Sequence, residues 1–238
     1  MSPMDTTEDR ALPRTAAASR AAASPQQDSA NALPSSNVDT QTLRQRLLEA
    51  RTALSGNARE VANAALLQNL ESGWDTSPAG HLARSLGGRQ AIVAAFWPIR
   101  NEPDLSDLLV RWATAGTYRI ALPTVQEPDA PLVFRPWVPK SPMRVGRFSI
   151  PEPHTEETCV PDIVLVPTLG YTPRGERIGY GKGFYDRTLT ALRAQGHQFA
   201  SVGIAFSCGR VAPHEHRAAP HDVNLDAIVD DLGWTIPE

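Results

Sequence analysis

From about residue 39 the chain takes on a helical rhythm. Leu43, Leu47 and Leu54 recur at helical spacing, Leu48 widens the stripe, and Asp39 or Thr40 stands where a first turn is capped. Arg44 and Arg51, seven apart, share one face of that helix. After the Ser55-Gly56 break, Asn57 followed three residues later by Glu60 reads as a capping box that opens a second helix to about Leu70. The continuous apolar run over residues 90–97, ending at Pro98, suits a strand buried on both faces. A helix is predicted over 107–115, then a strand over 118–122 stopped by Pro123, then another over 132–134.

Residues 136–161 are rich in proline and read as irregular, whereas 162–167 form the cleanest strand pattern in the chain. A long loop, 168–183, leads into a helix over 184–193, and strands follow over 200–205 and 227–229. Strands alternating with helices predict an α/β layered domain with a mostly parallel central sheet flanked by helices. Ligands of such sheets bind beyond the carboxyl ends of strands, which is where the 168–183 loop falls. Residues 1–37 hold no sustained apolar period and are dominated by Ala, Ser, Pro, Thr and Gln, so they read as a disordered tail ahead of a domain over 38–238.

Composition narrows the partners. A chain of 238 residues suits one domain plus a tail, large enough to fold without disulfide staples or a structural metal. A net charge of -3 gives no general attraction to nucleic acid or to an anionic membrane, and no apolar run approaches the ~20 residues that span a bilayer. The start lacks the apolar centre of a secretory signal, and Asp5, Glu8, Asp9 and Asp28 argue against a transit peptide. Cys159 and Cys208 stand far apart in no metal-ligand spacing, which fits a reducing compartment. The expectation is a cytoplasmic monomer with a small-molecule substrate, binding neither nucleic acid nor membrane.

Basic charge is almost all arginine, and the only lysines are Lys140 and Lys182. Lys182 sits inside Gly179-Tyr180-Gly181-Lys182-Gly183-Phe184-Tyr185-Asp186. Alternate glycines let backbone N–H groups approach a ligand closely, and the loop feeds a helix whose N-terminus favours phosphate. Lys182 adds a point charge suited to phosphate, and Asp186 is placed to hold magnesium. Two familiar phosphate loops are excluded by counting. Glu176 and Gly183 occupy the glycine and Ser/Thr places of a P-loop, and Phe184 occupies the third glycine of the dinucleotide fingerprint.

The stretch from Pro167 to Arg187, reading PTLGYTPRGERIGYGKGFYDR, resembles the signature of the 5-formyltetrahydrofolate cyclo-ligase family. Weaker correspondences include Leu43-Arg44 with Arg51, the segment from Phe96 to Glu102, and His221-Asp222. The resemblance implies an ATP-driven closure of 5-formyltetrahydrofolate to 5,10-methenyltetrahydrofolate with release of ADP and phosphate, assisted by magnesium. It also implies site roles. Arg177, Gly179, Tyr180, Gly181, Lys182, Gly183, Phe184 and Tyr185 would line the ATP and substrate junction, with Lys182 on the transferred phosphate and Tyr185 beside it in the chemistry. Arg44 would reach ATP from the first helix. Trp97, Glu102, Tyr180 and Phe184 would contact the reduced folate, and Asp186 and Asp222 would hold magnesium. Thr40 stands where the family usually has a lysine, which leaves open a folate- or nucleotide-binding protein of the same fold with little or no turnover. A metal hydrolase built on His214, His216, His221 and Asp222 is disfavoured, since that spacing matches no helical ligand pair.

Overall fold

The computed structural model describes residues 36–237; the tail expected over 1–37 lies almost wholly outside them. Helix α1 spans Ser36–Thr52, so Asp39 and Thr40 fall within it rather than capping it. Its apolar stripe, Leu43 and Leu47, packs with Leu169, Ile178 and Val211 in a small cluster of its own. Helix α2, Gly56–Gly73, is capped by Ser55, whose hydroxyl accepts from the Ala58 N–H, not by the expected Asn57 box. The extended backbone of Ser55 puts its side chain back over the free N–H groups, the geometry an N-cap requires. Helix α3, Pro78–Ser85, was not expected; Ser77 caps it and Pro78 opens it.

Strand β1 is Ile92–Ala94, helix α4 is Ser106–Thr114 and strand β2 is Arg119–Thr124. β2 runs through Pro123 instead of stopping there, and it pairs antiparallel with β3, Val133–Trp137. The ladder sets Ala121 opposite Pro136 and Pro123 opposite Phe134. These alternate positions exchange no hydrogen bonds in an antiparallel ladder, so neither missing N–H is felt. The segment expected to be irregular holds a hairpin, β4 (Met143–Val145) with β5 (Pro151–Pro153). Strand β6, Ile163–Pro167, is followed by a second small hairpin, β7 (Gly170–Tyr171) with β8 (Arg177–Ile178), inside the expected loop. Helix α5 (Phe184–Ala194), β9 (Ala200–Ile204), β10 (Ala227–Asp230) and a further strand, β11 (Gly233–Thr235), complete the chain.

The central sheet has seven strands in the order β11-β10-β9-β6-β1-β2-β3, parallel throughout except at its two edges. The two-residue alternation of side chains divides each inner strand between two cores. Ile163 and Leu165 of β6 join the cluster that holds Leu66, Leu70 and Leu108 from α2 and α4. Val164 and Val166 join Leu189 and Leu192 of α5 on the other face. Both faces are therefore buried, which is why these strands read as unbroken apolar runs. At the amino end of β6, the Asp162 carboxylate takes both Arg89 Nη1 and Nη2, at 2.9 and 2.7 Å, and the Ile92 N–H at 2.8 Å. That clasp fixes β6 beside β1. No helix among the described residues is long and apolar enough to cross a membrane.

Candidate active site

β1 and β6 are neighbours, yet the chain leaves β1 toward β2 on one side and reaches β9 from β6 on the other. Between them the strand order reverses, and a crevice forms there beyond the carboxyl ends. The segment after β1 carries Glu102 into this region, and the segment after β6 and its hairpin carries Tyr180. Their side chains meet: the Tyr180 hydroxyl donates to Glu102 Oε1 at 2.8 Å. The Ile99 N–H donates to the other oxygen, Oε2, at 2.9 Å. Arg100 and Asn101 both have positive φ, 50° and 58°, a costly turn for residues with side chains. The turn swings Glu102 inward and sets the Arg100 guanidinium carbon 5.5 Å from the Tyr180 ring centre.

A second guanidinium reaches the same ring from α1. Arg51 lies 5.5 Å from the Tyr180 centroid and its Nη2 donates to the Tyr180 hydroxyl. Arg51 is 2% exposed, and its Nε and Nη1 have no hydrogen-bond partner. Buried polar groups left so cost about 1–3 kcal/mol each, partly offset here by the aromatic face. Burial pushes the Glu102 carboxyl above the ordinary range, while the Ile99 and Tyr180 hydrogen bonds and the charges of Arg51 and Arg100 pull it back. Burial and the Glu102 charge raise the Tyr180 phenol far above its usual value, and the Tyr185 phenol is raised by burial and by Glu102. Both tyrosines are thus hydrogen-bond donors at neutral pH and not bases.

The glycine loop is held from three sides. Arg44 Nε donates to the Gly179 carbonyl at 2.9 Å. Arg177 donates through Nη2 to Asp186 at 2.8 Å, between side chains 7% and 15% exposed, and lies over the Tyr185 ring at 5.8 Å. Arg187 donates through Nη2 to the Lys182 carbonyl at 2.9 Å and stacks on Phe184. Glycine is required at Gly181, with φ +83°, and at Gly183, with φ +66°. Gly183 occupies the N-cap place of α5 with no side-chain cap, so the first N–H groups of that helix have no capping acceptor from it.

The Lys182 side chain is exposed. It lines a cleft of about 360 Å³ with Phe148, Phe184, Arg147, Pro128 and Asp129. Phe148 is 60% exposed at the tip of the β4–β5 hairpin and meets Phe184 edge-on at 6.0 Å.

The expected residues fall into three groups. Arg44, Arg177, Tyr180 and Glu102 are joined to the loop or to one another by the contacts above, and Lys182, Phe184 and Tyr185 flank the uncapped end of α5. Trp97 is half-buried against the core and makes no side-chain hydrogen bond among the described residues. Asp222 closes its own turn, accepting from the Ala219 N–H at 2.7 Å. Arg177 holds Asp186 Oδ2, and Oδ1 has no hydrogen-bond partner among the described residues. No group of three or more His, Cys, Asp or Glu side chains gathers among the described residues. His216 is buried with Nε2 unpartnered, within electrostatic reach of Glu176, Asp222 and Arg44. Arg51 and Arg100 escaped the sequence reading as site residues. Arg51 had a signal, since it continues the four-residue spacing of Leu43 and Leu47, and Arg100 lay within the Phe96 to Glu102 correspondence.

Residues 36–231 match the 5-formyltetrahydrofolate cyclo-ligase family. A 5-formyltetrahydrofolate cyclo-ligase of Mycoplasma pneumoniae is 27% identical over 194 residues, 82% of this chain and 99% of that protein. That of Haemophilus influenzae is 36% identical over 96 residues, which is 37% of this chain and 50% of its own length. A solution structure of the 5,10-methenyltetrahydrofolate synthetase of Aquifex aeolicus aligns with a TM-score of 0.65 at 25% identity, covering 83% of this chain and 92% of that one. The M. pneumoniae synthetase aligns at 0.56 with 25% identity, covering 81% and 99%. The match over 36–231, together with the seven-stranded fold, establishes that the chain belongs to the 5-formyltetrahydrofolate cyclo-ligase family.

Proposed function

We propose that the chain converts 5-formyltetrahydrofolate to 5,10-methenyltetrahydrofolate at the expense of ATP, releasing ADP and phosphate, as a cytoplasmic monomer. The observation that carries this reading is the Glu102–Tyr180 hydrogen bond across the switch point, which puts a buried carboxylate beside a cationic glycine loop. In the reaction the formyl oxygen takes the terminal phosphoryl group of ATP, N10 of the folate attacks the activated carbon, and the carbon–oxygen bond breaks to release phosphate. An unphosphorylated formyl oxygen is a poor leaving group, so the protein's task is to position two ligands and neutralise phosphate charge.

Arg44, Arg177 and Lys182, with the uncapped N-terminus of α5, supply positive charge for the phosphates. Glu102 offers lone pairs to the N–H donors of the pterin edge. Tyr180 and Tyr185 remain protonated and donate hydrogen bonds. Phe184 and Phe148 provide an apolar wall beside Lys182, and Trp97 supports the folate side from the end of β1. Asp186, through Oδ1, and Asp222 would hold a magnesium ion that arrives with the triphosphate. Such an ion needs only one or two protein carboxylates, its other ligands being phosphate oxygens and water, and it would neutralise charge on the phosphates. The cytoplasmic assignment draws support from Cys159 and Cys208, both free thiols. Separate binding measurements for ATP and for 5-formyltetrahydrofolate, followed by product analysis of the mixture, test the proposal. Binding of both with neither ADP nor the methenyl product formed reduces it to a binding protein.

A further inference from the structure

Tyr180 is bound from two directions at a single oxygen. Its hydroxyl accepts from Arg51 Nη2 and donates to Glu102 Oε1. A guanidinium only donates and the phenol has a single proton, so with Arg51 donating to the hydroxyl that proton goes to Glu102. Arg51 spends one nitrogen on this contact and lies over the face of the same ring, and its other two nitrogens, buried and unpartnered, bind nothing else. A cation sunk to 2% exposure in an apolar helix stripe has no role on the helix surface. The one side-chain hydrogen bond it makes among the described residues goes to Tyr180.

We propose that Arg51 is a positioning residue for the folate half of the site: acting through the Tyr180 hydroxyl, it commits that proton to Glu102 and leaves the remaining carboxylate lone pairs for the N–H donors of the ligand. The inference rests on the reading of Glu102 as the folate-contacting carboxylate. Arg51 itself touches no ligand, since its free nitrogens are out of reach of solvent. Without it the Tyr180 hydroxyl is released to turn, and Glu102 loses both a directed donor and a compensating charge. Around Glu102 stand Arg51 from α1, Arg100 from the segment after β1, Tyr180 from the glycine loop and Tyr185 from the first turn of α5. Of these, Arg51 and Arg100 carry the positive charge that opposes the upward pull of burial on the carboxyl.

The test uses the full chain and steady-state kinetics with each substrate varied in turn. Arg51→Met and Tyr180→Phe should each raise KM for 5-formyltetrahydrofolate about tenfold or more while leaving KM for ATP within about twofold. In both variants the acid limb of kcat/KM for the folate should move to higher pH, because each change removes a group that favours ionised Glu102. The double variant should cost little more than either single change, as expected of residues acting through one hydroxyl. Arg51→Lys should recover part of the loss. If Arg51→Met fails to fold, Tyr180→Phe decides alone, since it removes the link and leaves Arg51 in place. An unmoved acid limb, additive losses, or a rise confined to KM for ATP overturns the proposal. A wild type that binds folate without turnover overturns the enzymatic reading instead, and the same comparison of folate affinities against pH then still tests Arg51.

Discussion

Arg177 and Asp186 meet at 2.8 Å across the neck of the glycine loop, joining the end of the β7–β8 hairpin to the first turn of α5. Both side chains are largely withdrawn from water, and Arg177 also stacks on Tyr185, so the pair fixes where the glycine-loop backbone sits relative to the helix. A partly buried pair of this kind is costly to break and cheap to replace whole.

Removing one partner is therefore expected to hurt stability. Asp186→Ala strands the Arg177 charge and should destabilise the fold by about 3 kcal/mol, lowering the melting temperature by roughly 6–12 °C for a domain of this size. The double change Arg177→Met with Asp186→Leu should regain most of that stability without regaining activity. Thermal melts of the three proteins check the first part and turnover the second.

Glu102 gives a prediction in which stability and function oppose each other. A carboxyl whose pKa is raised by folding favours the folded state in its protonated form. Its contribution is fully present below the ordinary glutamate pKa and is lost as pH rises through the raised value. Glu102→Gln cannot ionise, so relative to wild type it should melt higher at neutral pH than in mild acid. Folate binding should fall about tenfold or more. Paired melting curves across pH, with binding measured on the same samples, check both.

How much of this the sequence disclosed depended on what kind of signal each residue carried. β6 was plain because both its faces are buried, which makes a run with no polar interruption. The glycine loop stood out through its alternate glycines around a lone lysine, and Glu102 only through the family resemblance. Prolines hid the β4–β5 hairpin and the end of β2, since Pro normally interrupts a ladder and here falls on alternate positions of each antiparallel pair. α3 was missed because eight residues give too short a period, although Ser77-Pro78 is a helix opening. Arg51 was placed with Arg44 on one helix face and given no role in the site. Its place on the apolar stripe is accounted for by the contact with Tyr180.

The loop glycines should separate by backbone need. Gly181→Ala and Gly183→Ala force a side chain into left-handed backbone and are each expected to cost about 1–2 kcal/mol, with KM for ATP raised. Gly56→Ala, at a helix start with open space and ordinary φ, should be neutral or slightly stabilising. Denaturant unfolding distinguishes the two classes.

The most direct measurement follows the methenyl chromophore in a mixture of the purified chain, ATP, magnesium and 5-formyltetrahydrofolate, with Lys182→Ala run beside it. Lys182 is exposed, so its removal should leave the melting temperature unchanged. The account expects the chromophore to appear with the wild type only when ATP is present, matched by ADP, and turnover to be lost in Lys182→Ala. Binding of both ligands with no chromophore, or turnover undiminished by the substitution, would contradict it.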